Sequence, residues 1–233
     1  MLEWGREEMM TTKDLLRESF TASAQRVYRE KKVKMVKVEG SWRDVKNACR
    51  TTVGKKHTEK DATERFKRDL VIAEHTPIRK LHVSWLWEDM PYWVAMEWAR
   101  HKFEKYIRSQ RTDRTGEKRD KKPQDAPVSF EGYANAQHLI DAWRKRLCYQ
   151  ATPEARAYAM RLKRDLRKIA PEIADALVPN CIYRCGCPEM PGTGCGWWDA
   201  FIKDKAPERL LSIRERYAMY NTPENSGEGC PHV

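Results

Sequence analysis

Cationic side chains are concentrated in residues 100–111, around a single serine hydroxyl. Five Lys or Arg residues and His101 surround Ser109, directly after the apolar run of residues 91–99. That run favours a buried helix, which would fix the charged segment in place. Guanidinium groups bind phosphate bidentately, and a His and a Ser add short hydrogen bonds. The segment is therefore a candidate anion site, although cations also collect at solvated helix ends because they suit the helix dipole.

A second candidate set lies on a helix predicted from Ser129 to about Leu147. Asn135 and Arg146 are 11 residues apart, so at about 100° per residue they fall within roughly 20° of one another. One helix face would then present an amide and a guanidinium with apolar residues between them, which suits a planar ring. For Arg146 alone, a surface salt bridge is the structural alternative.

Four cysteines form a third candidate set: Cys181, Cys185, Cys187 and Cys195. Four thiolates make a tetrahedral zinc site. The spacing is not a pair of CxxC motifs, so scattered free thiols are the alternative. The charged N-terminal sequence has no apolar export signal, which favours reduced thiols or metal ligands over disulfides.

The composition indicates anionic partners. The 233 residues carry a net charge of +11, from 45 basic and 34 acidic side chains, which suits a nucleotide, a phosphate-bearing cofactor or nucleic acid. No apolar run approaches the roughly 20 residues of a membrane span, and a cytoplasmic protein is predicted. The nine Trp and nine Tyr residues are more than a surface strand needs, which fits burial in a core or a subunit interface.

Hydrophobic periodicity and capping residues predict the order of the elements. Strands are predicted over residues 33–38 and 80–87, and a basic loop over 111–127. The predicted helices cover residues 12–30, 41–52, 62–74, 91–99, 129–147, 152–168, 171–177 and 207–220, with a Cys-rich loop over 180–198.

These motifs resemble, in their order and spacing, the flavin-dependent (alternative) thymidylate synthases. The resemblance covers about residues 65–165. It is carried by Glu74-His75-Thr76-Pro77, the aromatic strand at 81–87, Trp98-Ala99-Arg100-His101-Lys102, Ser109-Gln110-Arg111 and the segment from Asn135 to Arg146.

The resemblance implies a role for each matched residue. The residues implied to contact the flavin are Arg100, His101, Lys102 and Asn135, together with Gln150, which stands where a His is usual. The residues implied to hold the nucleotide dUMP are Ser109, Arg111, Arg119 and Arg146. Ser109 would also lie near the reacting pyrimidine carbon, and Ser109 and Arg146 are the implied catalytic residues.

The resemblance also implies a fold and a reaction. The fold would be α+β, with an antiparallel sheet flanked by helices over residues 1–178, including an N-terminal helical extension. Residues 179–233 would add the Cys-rich loop, a C-terminal helix and a tail. The reaction would be reductive methylation of dUMP to dTMP with FAD, NADPH and methylenetetrahydrofolate. The family's active sites lie between subunits of a homotetramer, and neither membrane nor nucleic acid is an expected partner.

Four departures from the family pattern keep alternatives open. Lys102 replaces an Arg and loses the bidentate fork, Arg79-Lys80 replaces Glu-His, and Ile107 replaces a Glu. The gap from Lys102 to Ser109 is also one residue shorter than in the family. A related flavin enzyme making another 5-modified dUMP, such as the hydroxymethyl compound, is one alternative. A basic, zinc-containing nucleic-acid-binding protein is the alternative from another class.

Overall fold

A four-stranded antiparallel sheet is the centre of the molecule. The computed structural model describes residues 33–205 and 209–222; the helix predicted over residues 12–30 lies outside them. The spatial order of the strands is β1-β2-β4-β3, and every neighbouring pair is antiparallel. The strands are β1 (Met35–Glu39), β2 (His82–Pro91), β3 (Glu104–Ile107) and β4 (Pro127–Asn135).

Helices connect and follow these strands, which confirms the predicted α+β class. Two 3₁₀ turns, at Thr76–Lys80 and Arg119–Lys121, complete the described elements. The helices are α1 (Trp42–Thr52), α2 (Glu64–Ile72), α3 (Tyr92–Ala99), α4 (Thr112–Thr115), α5 (Ala136–Arg146), α6 (Pro153–Arg167), α7 (Pro171–Ala176), α8 (Asn180–Arg184), α9 (Trp197–Lys205) and α10 (Ile213–Tyr220).

Two helices begin where predicted, but the residues that precede them make different hydrogen bonds. The Ser41 hydroxyl accepts a hydrogen bond from the Asp44 N–H at 3.1 Å, which satisfies a donor that the first turn of α1 leaves unpaired. Helix α6 also begins where predicted, at Pro153, but Thr152 makes no capping bond. Its hydroxyl donates instead to the Glu97 carboxylate at 3.1 Å, so this residue joins α6 to α3.

Aromatic rings fill the space between the sheet and the helices. Trp85 and Trp87 of β2 and Trp98 of α3 are at most 1 % exposed. Trp143 of α5 packs 4.8 Å from Trp98 and 5.5 Å from Trp85, measured between ring centroids. Rings of this size bury 150–250 Å² each, so they dominate the energetics of the core. For these four tryptophans the predicted burial in a core is confirmed.

Gly132 of β4 makes this packing feasible. It lies opposite Trp85 in the register of the sheet, and a Cβ at position 132 would overlap the six-membered ring of that indole. A glycine in a strand interior commonly marks such a close approach. The indole therefore lies across the backbone of β4.

The helix predicted to begin at Ser129 begins seven residues later, at Ala136. Residues 127–135 instead form β4, where buried Val128 and Phe130 alternate with exposed Pro127 and Glu131. This two-residue period, together with a glycine that disfavours helix, suits a strand. The basic segment after α3 also contains an unpredicted strand, β3, which pairs with β4.

The C-terminal part of the described chain packs on the same core. Ile182, Trp197 and Phe201 are buried within the main hydrophobic cluster. The last helix begins at Ile213, later than predicted, because Ser212 and Glu215 form a capping box there. The proposed division at residue 178 stays a prediction. Of the helices in the described ranges, none has the length and apolar character needed to cross a bilayer.

Candidate functional site

A cleft of about 520 Å³ lies where β2 begins and β4 ends. His82 at the start of β2 pairs with Asn135 at the end of β4, and Glu104 at the start of β3 pairs with Tyr133. The sheet thus brings residues distant in sequence to one edge. The polar residues that line the cleft are His82, His101, Lys102, Glu104, Lys105, Tyr133, Asn135 and His138.

Two parallel rings form one wall of this cleft. The His82 and Tyr133 rings stack with centroids 5.1 Å apart and planes 11° apart. The Tyr133 hydroxyl donates to Glu39 Oε2 at 3.3 Å, which ties the ring to β1. A fixed aromatic face of this kind offers a planar ligand a stacking surface.

Asn135 does not lie on the ring-packing helix face that was predicted. It is the N-cap of α5, and its Oδ1 accepts the His138 N–H at 2.9 Å. Asn is among the preferred N-cap residues because its side-chain oxygen reaches this donor. Arg146 lies at the other end of α5, about 16 Å away along the helix axis at 1.5 Å per residue. The apolar residues between them, Leu139 and Ala142, are buried in the core, so this face of α5 is not open to a planar ring, although Asn135 does line the cleft.

Arg146 is held by three hydrogen bonds within the chain. Its Nε donates to His101 Nε2 at 2.8 Å, its Nη1 to Glu97 Oε2 at 2.8 Å, and its Nη2 to the Glu97 carbonyl at 2.5 Å. Only 14 % of the Arg146 side chain and 19 % of the Glu97 side chain are exposed. We call Glu97, His101, Arg146 and Thr152 the Arg146 network. Direct contact between Arg146 and a nucleotide stays a prediction.

The electrostatics of this network favour a neutral imidazole. Burial lowers the pKa of His101 to about 4, and the charges of Arg146, Lys145 and Lys105 contribute to the same shift. Burial also lowers the pKa of Arg146; Glu97 opposes that shift. The Arg146 side chain stays charged, because guanidinium groups do not lose their proton in proteins. At neutral pH the network thus contains one ion pair and a neutral His101.

The two lysines that line the cleft differ in whether their ammonium groups are hydrogen-bonded within the chain. Lys105 Nζ donates to the carbonyls of Ala99 and His101, at 2.9 and 2.6 Å, so its charge stabilises the chain between α3 and β3. Lys102 is exposed, and its ammonium has no partner among residues 33–205 and 209–222. Arg100 is also exposed and acts electrostatically on Arg146. Lys102 is therefore the lining cation that is available to a ligand.

The predicted nucleotide-binding residues Ser109, Arg111 and Arg119 lie elsewhere. They follow β3, and we call residues 109–119 the Ser109 segment. Ser109 is five residues beyond Glu104, about 16 Å along an extended chain, at the end of β3 away from the cleft. The structure does not bring these residues into the cleft of their own chain.

The predicted nucleotide-binding side chains of the Ser109 segment face solvent or residues of the same segment. The Ser109 hydroxyl accepts the Arg111 N–H at 3.2 Å. Arg111 pairs with Asp113 at 2.8 Å, but both side chains are more than 60 % exposed. Arg119 is exposed, and its own N–H donates to the Thr112 hydroxyl at 3.3 Å. Exposed pairs of this kind contribute little to stability, so the two guanidinium groups remain available to an anion.

Gln150 also lies outside the cleft lining. Its side chain is exposed, and Nε2 donates to the Thr193 carbonyl at 2.6 Å. The structure therefore uses this amide to join the end of α5 to the Cys-rich loop. Its implied flavin contact stays a prediction.

The predicted zinc ligands do not assemble into a metal site in the described part of the chain. No group of three or more His, Cys, Asp or Glu side chains in residues 33–205 and 209–222 is arranged to hold an ion. Cys181 is buried, Cys187 is exposed, and Cys185 and Cys195 are intermediate. Burial raises the pKa of Cys181, and the nearby Cys148 thiol raises it further.

The residues of the cleft and its network that were not predicted include Glu97, Thr152, His82 and Tyr133. Glu97 precedes Arg100 by one helical turn, which was the available signal for an acidic partner. His82 alternates with buried Val83 and Trp85 in β2, so the strand pattern placed it on the opposite face. Tyr133 and Thr152 offered no comparable signal. Tyr133 lies in a strand that was predicted as a helix, and Thr152 was predicted to be a helix cap.

No family model matches this chain, and no curated protein matches its sequence. Among solved structures, a flavin-dependent thymidylate synthase from Helicobacter pylori, complexed with FAD and dUMP, aligns with a TM-score of 0.51 at 12 % identity. The alignment covers 64 % of this chain and 99 % of that one. A UMP/dUMP methylase from Streptomyces cacaoi bound with 5-Br dUMP aligns with a TM-score of 0.47 at 14 % identity, over 61 % and 94 % of the two chains. The likeness to the Helicobacter pylori structure shows that this chain shares its fold.

Proposed function

We propose that this protein is a flavin-dependent enzyme that converts dUMP to dTMP by reductive methylation, with NADPH and methylenetetrahydrofolate as co-substrates. One observation carries the proposal. The sequence resemblance assigns His101, Lys102 and Asn135 to the flavin, and these residues line one cleft, although they come from two separate parts of the chain. The shared fold with a synthase complexed with FAD and dUMP supports it.

The residues of the cleft suit a flavin. The stacked His82 and Tyr133 rings offer a flat surface to an isoalloxazine, and Lys102 offers a cation to a phosphate or to a reduced ring. The volume of about 520 Å³ lies within the usual range of cofactor sites. A bound flavin would supply hydride transfer, taking a hydride from NADPH and giving one to the carbon delivered by the folate.

The nucleotide is proposed to be held by the Ser109 segment. Arg111 and Arg119 are exposed cations of the type that grips phosphate, and Ser109 would lie against the pyrimidine. Because Ser109 lies about 16 Å from Glu104 along an extended chain and the segment does not line the cleft of its own chain, we propose that it completes the cleft of a neighbouring subunit. A homotetramer with shared sites satisfies this requirement.

Reconstitution tests the reaction directly. The protein is incubated with FAD, NADPH, methylenetetrahydrofolate and dUMP, and products are separated by chromatography. We expect dTMP that depends on all four components. A different 5-modified uridylate, such as the hydroxymethyl compound, would instead identify the related enzyme. The synthase proposal is rejected if no product forms and the protein binds nucleic acid with an affinity that falls steeply with salt.

A pair of lysine variants tests the location of the flavin. Lys102→Met removes the available cation of the cleft, whereas Lys55→Met removes another exposed lysine far from it along the chain. Loss of one charge-assisted bond, about 1.5–3 kcal/mol, corresponds to roughly a 10- to 150-fold weaker FAD affinity. We expect that loss only in Lys102→Met, measured by flavin fluorescence. Equal affinities of the two variants would place the flavin elsewhere.

A further inference from the structure

The bond between Arg146 and His101 determines where the imidazole proton lies. A guanidinium group has only donors, so its hydrogen bond to His101 Nε2 at 2.8 Å requires that nitrogen to accept. We infer that Arg146 holds His101 in the neutral tautomer with its proton on Nδ1, so that the cleft is offered an uncharged hydrogen-bond donor. Arg146 is then a positioning residue, acting on the cleft through His101.

The other two nitrogens of the Arg146 guanidinium are also held by hydrogen bonds. Both remaining nitrogens donate to Glu97, one to the carboxylate and one to the backbone carbonyl. Thr152 donates to the same carboxylate from the start of α6. Three helices, α3, α5 and α6, therefore fix the direction in which Nε points.

The imidazole ring is also fixed. It lies parallel to the Phe103 ring, with planes 5° apart and centroids 6.2 Å apart, and it packs 5.7 Å from the Trp98 ring. A ring flip would break the bond to Arg146 and leave a buried donor without a partner, which is costly. His101 lines the cleft, and its Nδ1 has no hydrogen-bond partner within the described ranges.

The charges around His101 oppose a second proton. Arg146 and Lys145 approach it from α5 and Lys105 from β3. Arg100 lies at the end of α3 and acts on Arg146. The nearest carboxylate of the network, Glu97, is already paired with Arg146. The pKa of about 4 agrees with an imidazole that stays neutral at neutral pH.

An uncharged donor suits a ligand carbonyl more than a phosphate. On the proposed function, this ligand atom would be a ring carbonyl of the flavin, and the phosphates would be left to Lys102. The tautomer itself is a property of the protein without ligand. It can therefore be tested whether or not the chain proves to be a synthase.

Nitrogen-15 NMR of histidine-labelled protein tests the inference at pH 7 without added ligand. Long-range proton–nitrogen correlations distinguish the two neutral tautomers, and the signal missing in His101→Gln identifies the residue. We expect a single Nδ1–H form in the wild type. An Nε2–H form or a protonated ring would overturn the inference.

Two variants on neighbouring positions separate the hydrogen bond from the charge. Arg146→Met removes both, whereas Lys145→Met removes an exposed cation that acts on His101 and keeps the hydrogen bond. We expect the single tautomer to be lost in Arg146→Met and kept in Lys145→Met. The same single tautomer in both variants would overturn the inference. If Arg146→Met does not fold, Arg146→Lys, which keeps a donor, is expected to retain the tautomer; an Nε2–H form in that variant would count against it.

An affinity measurement separates this inference from the proposed function. On both hypotheses, FAD binds more weakly to Arg146→Met than to Lys145→Met, by about tenfold for one lost hydrogen bond. If the tautomer is lost in Arg146→Met but neither variant nor wild type binds FAD, the inference stands and the proposed function fails. If FAD binds and the tautomer does not change, the proposed function stands and the inference fails.

Discussion

The Arg146 network and the Ser109 segment contain the same kinds of residue in opposite surroundings. In the network, the guanidinium is 14 % exposed and each of its nitrogens donates to a partner within the chain. In the segment, Arg111 is 64 % exposed and, among the residues that the structure describes, its side chain pairs only with exposed Asp113. The comparison teaches that a cation whose nitrogens all donate hydrogen bonds within its own chain positions the other residues of a site. A cation left in water is the one free to bind a ligand.

The largest expected effect is that of Arg146→Met on stability. It leaves the Glu97 carboxylate, 19 % exposed, without its cationic partner, and breaking such a pair costs about 3 kcal/mol. Arg111→Met, the matched change in the Ser109 segment, is expected to cost less than about 0.5 kcal/mol. Denaturant unfolding of both variants measures the difference. Equal losses would mean that burial does not distinguish the two regions.

The second prediction concerns ligand affinity, for which the larger effect is expected in the Ser109 segment. Arg111→Ala is expected to leave the free energy of unfolding unchanged but to weaken dUMP binding by roughly 10- to 150-fold, the equivalent of one charge-assisted hydrogen bond. Isothermal titration with dUMP measures this affinity. Lys55→Met, which removes an exposed charge outside the segment, is the control. Unchanged dUMP affinity in Arg111→Ala would remove the segment from the nucleotide site.

The third prediction concerns pH. The pKa of His101 is about 4 in the folded protein, against an ordinary value of 6.5, so between these values the unfolded chain binds more protons than the folded one. The contribution of His101 to stability is therefore fully present above pH 6.5 and is lost as the pH decreases from 6.5 toward 4. After allowance for solvent screening, the contribution is about 1–2 kcal/mol.

Urea unfolding of the wild type and of His101→Gln at pH 7 and pH 5 isolates this contribution. The variant lacks the titrating ring, so its stability should change less than that of the wild type over this interval. An identical pH dependence in the two proteins would show that His101 titrates normally in the folded state.

The smallest expected effect compares one substitution in both regions. Thr152→Val removes the hydroxyl that donates to half-buried Glu97, at a cost of about 1 kcal/mol. Thr112→Val removes an exposed hydroxyl that accepts the Arg119 N–H, and should cost less than about 0.5 kcal/mol. Thermal unfolding measures both. A larger loss in Thr112→Val would mean that the exposed segment is the more firmly held region.

The sequence predicts elements well where the local signal agrees with the final packing. Ser41 before an amphipathic run and Pro153 after Thr152 each mark a helix start that the structure contains. The local signal fails at β4, because Ser129 is also a plausible helix cap. The buried residues of this strand pack against core residues that are distant in the sequence. Strand β3 carries Glu104 and Lys105 and exists through its pairing with β4.

The candidate site is predictable only in part for the same reason. The motif order identifies His101, Lys102 and Asn135, because their spacing follows the chain. The engagement of Arg146 by Glu97 depends on α3 lying beside α5, a tertiary contact between residues 49 positions apart. The separation of Ser109 from the cleft likewise depends on the direction of β3 within the sheet.

The close fit of Gly132 against Trp85 restricts the order in which substitutions at these two positions are able to occur during evolution. Because any side chain at position 132 overlaps the indole, a replacement there is tolerated only after position 85 holds a smaller residue. The reverse order passes through an overpacked core. Related chains should therefore vary at these two positions together, and the pair offers a marker for recognising distant relatives whose surface residues have diverged.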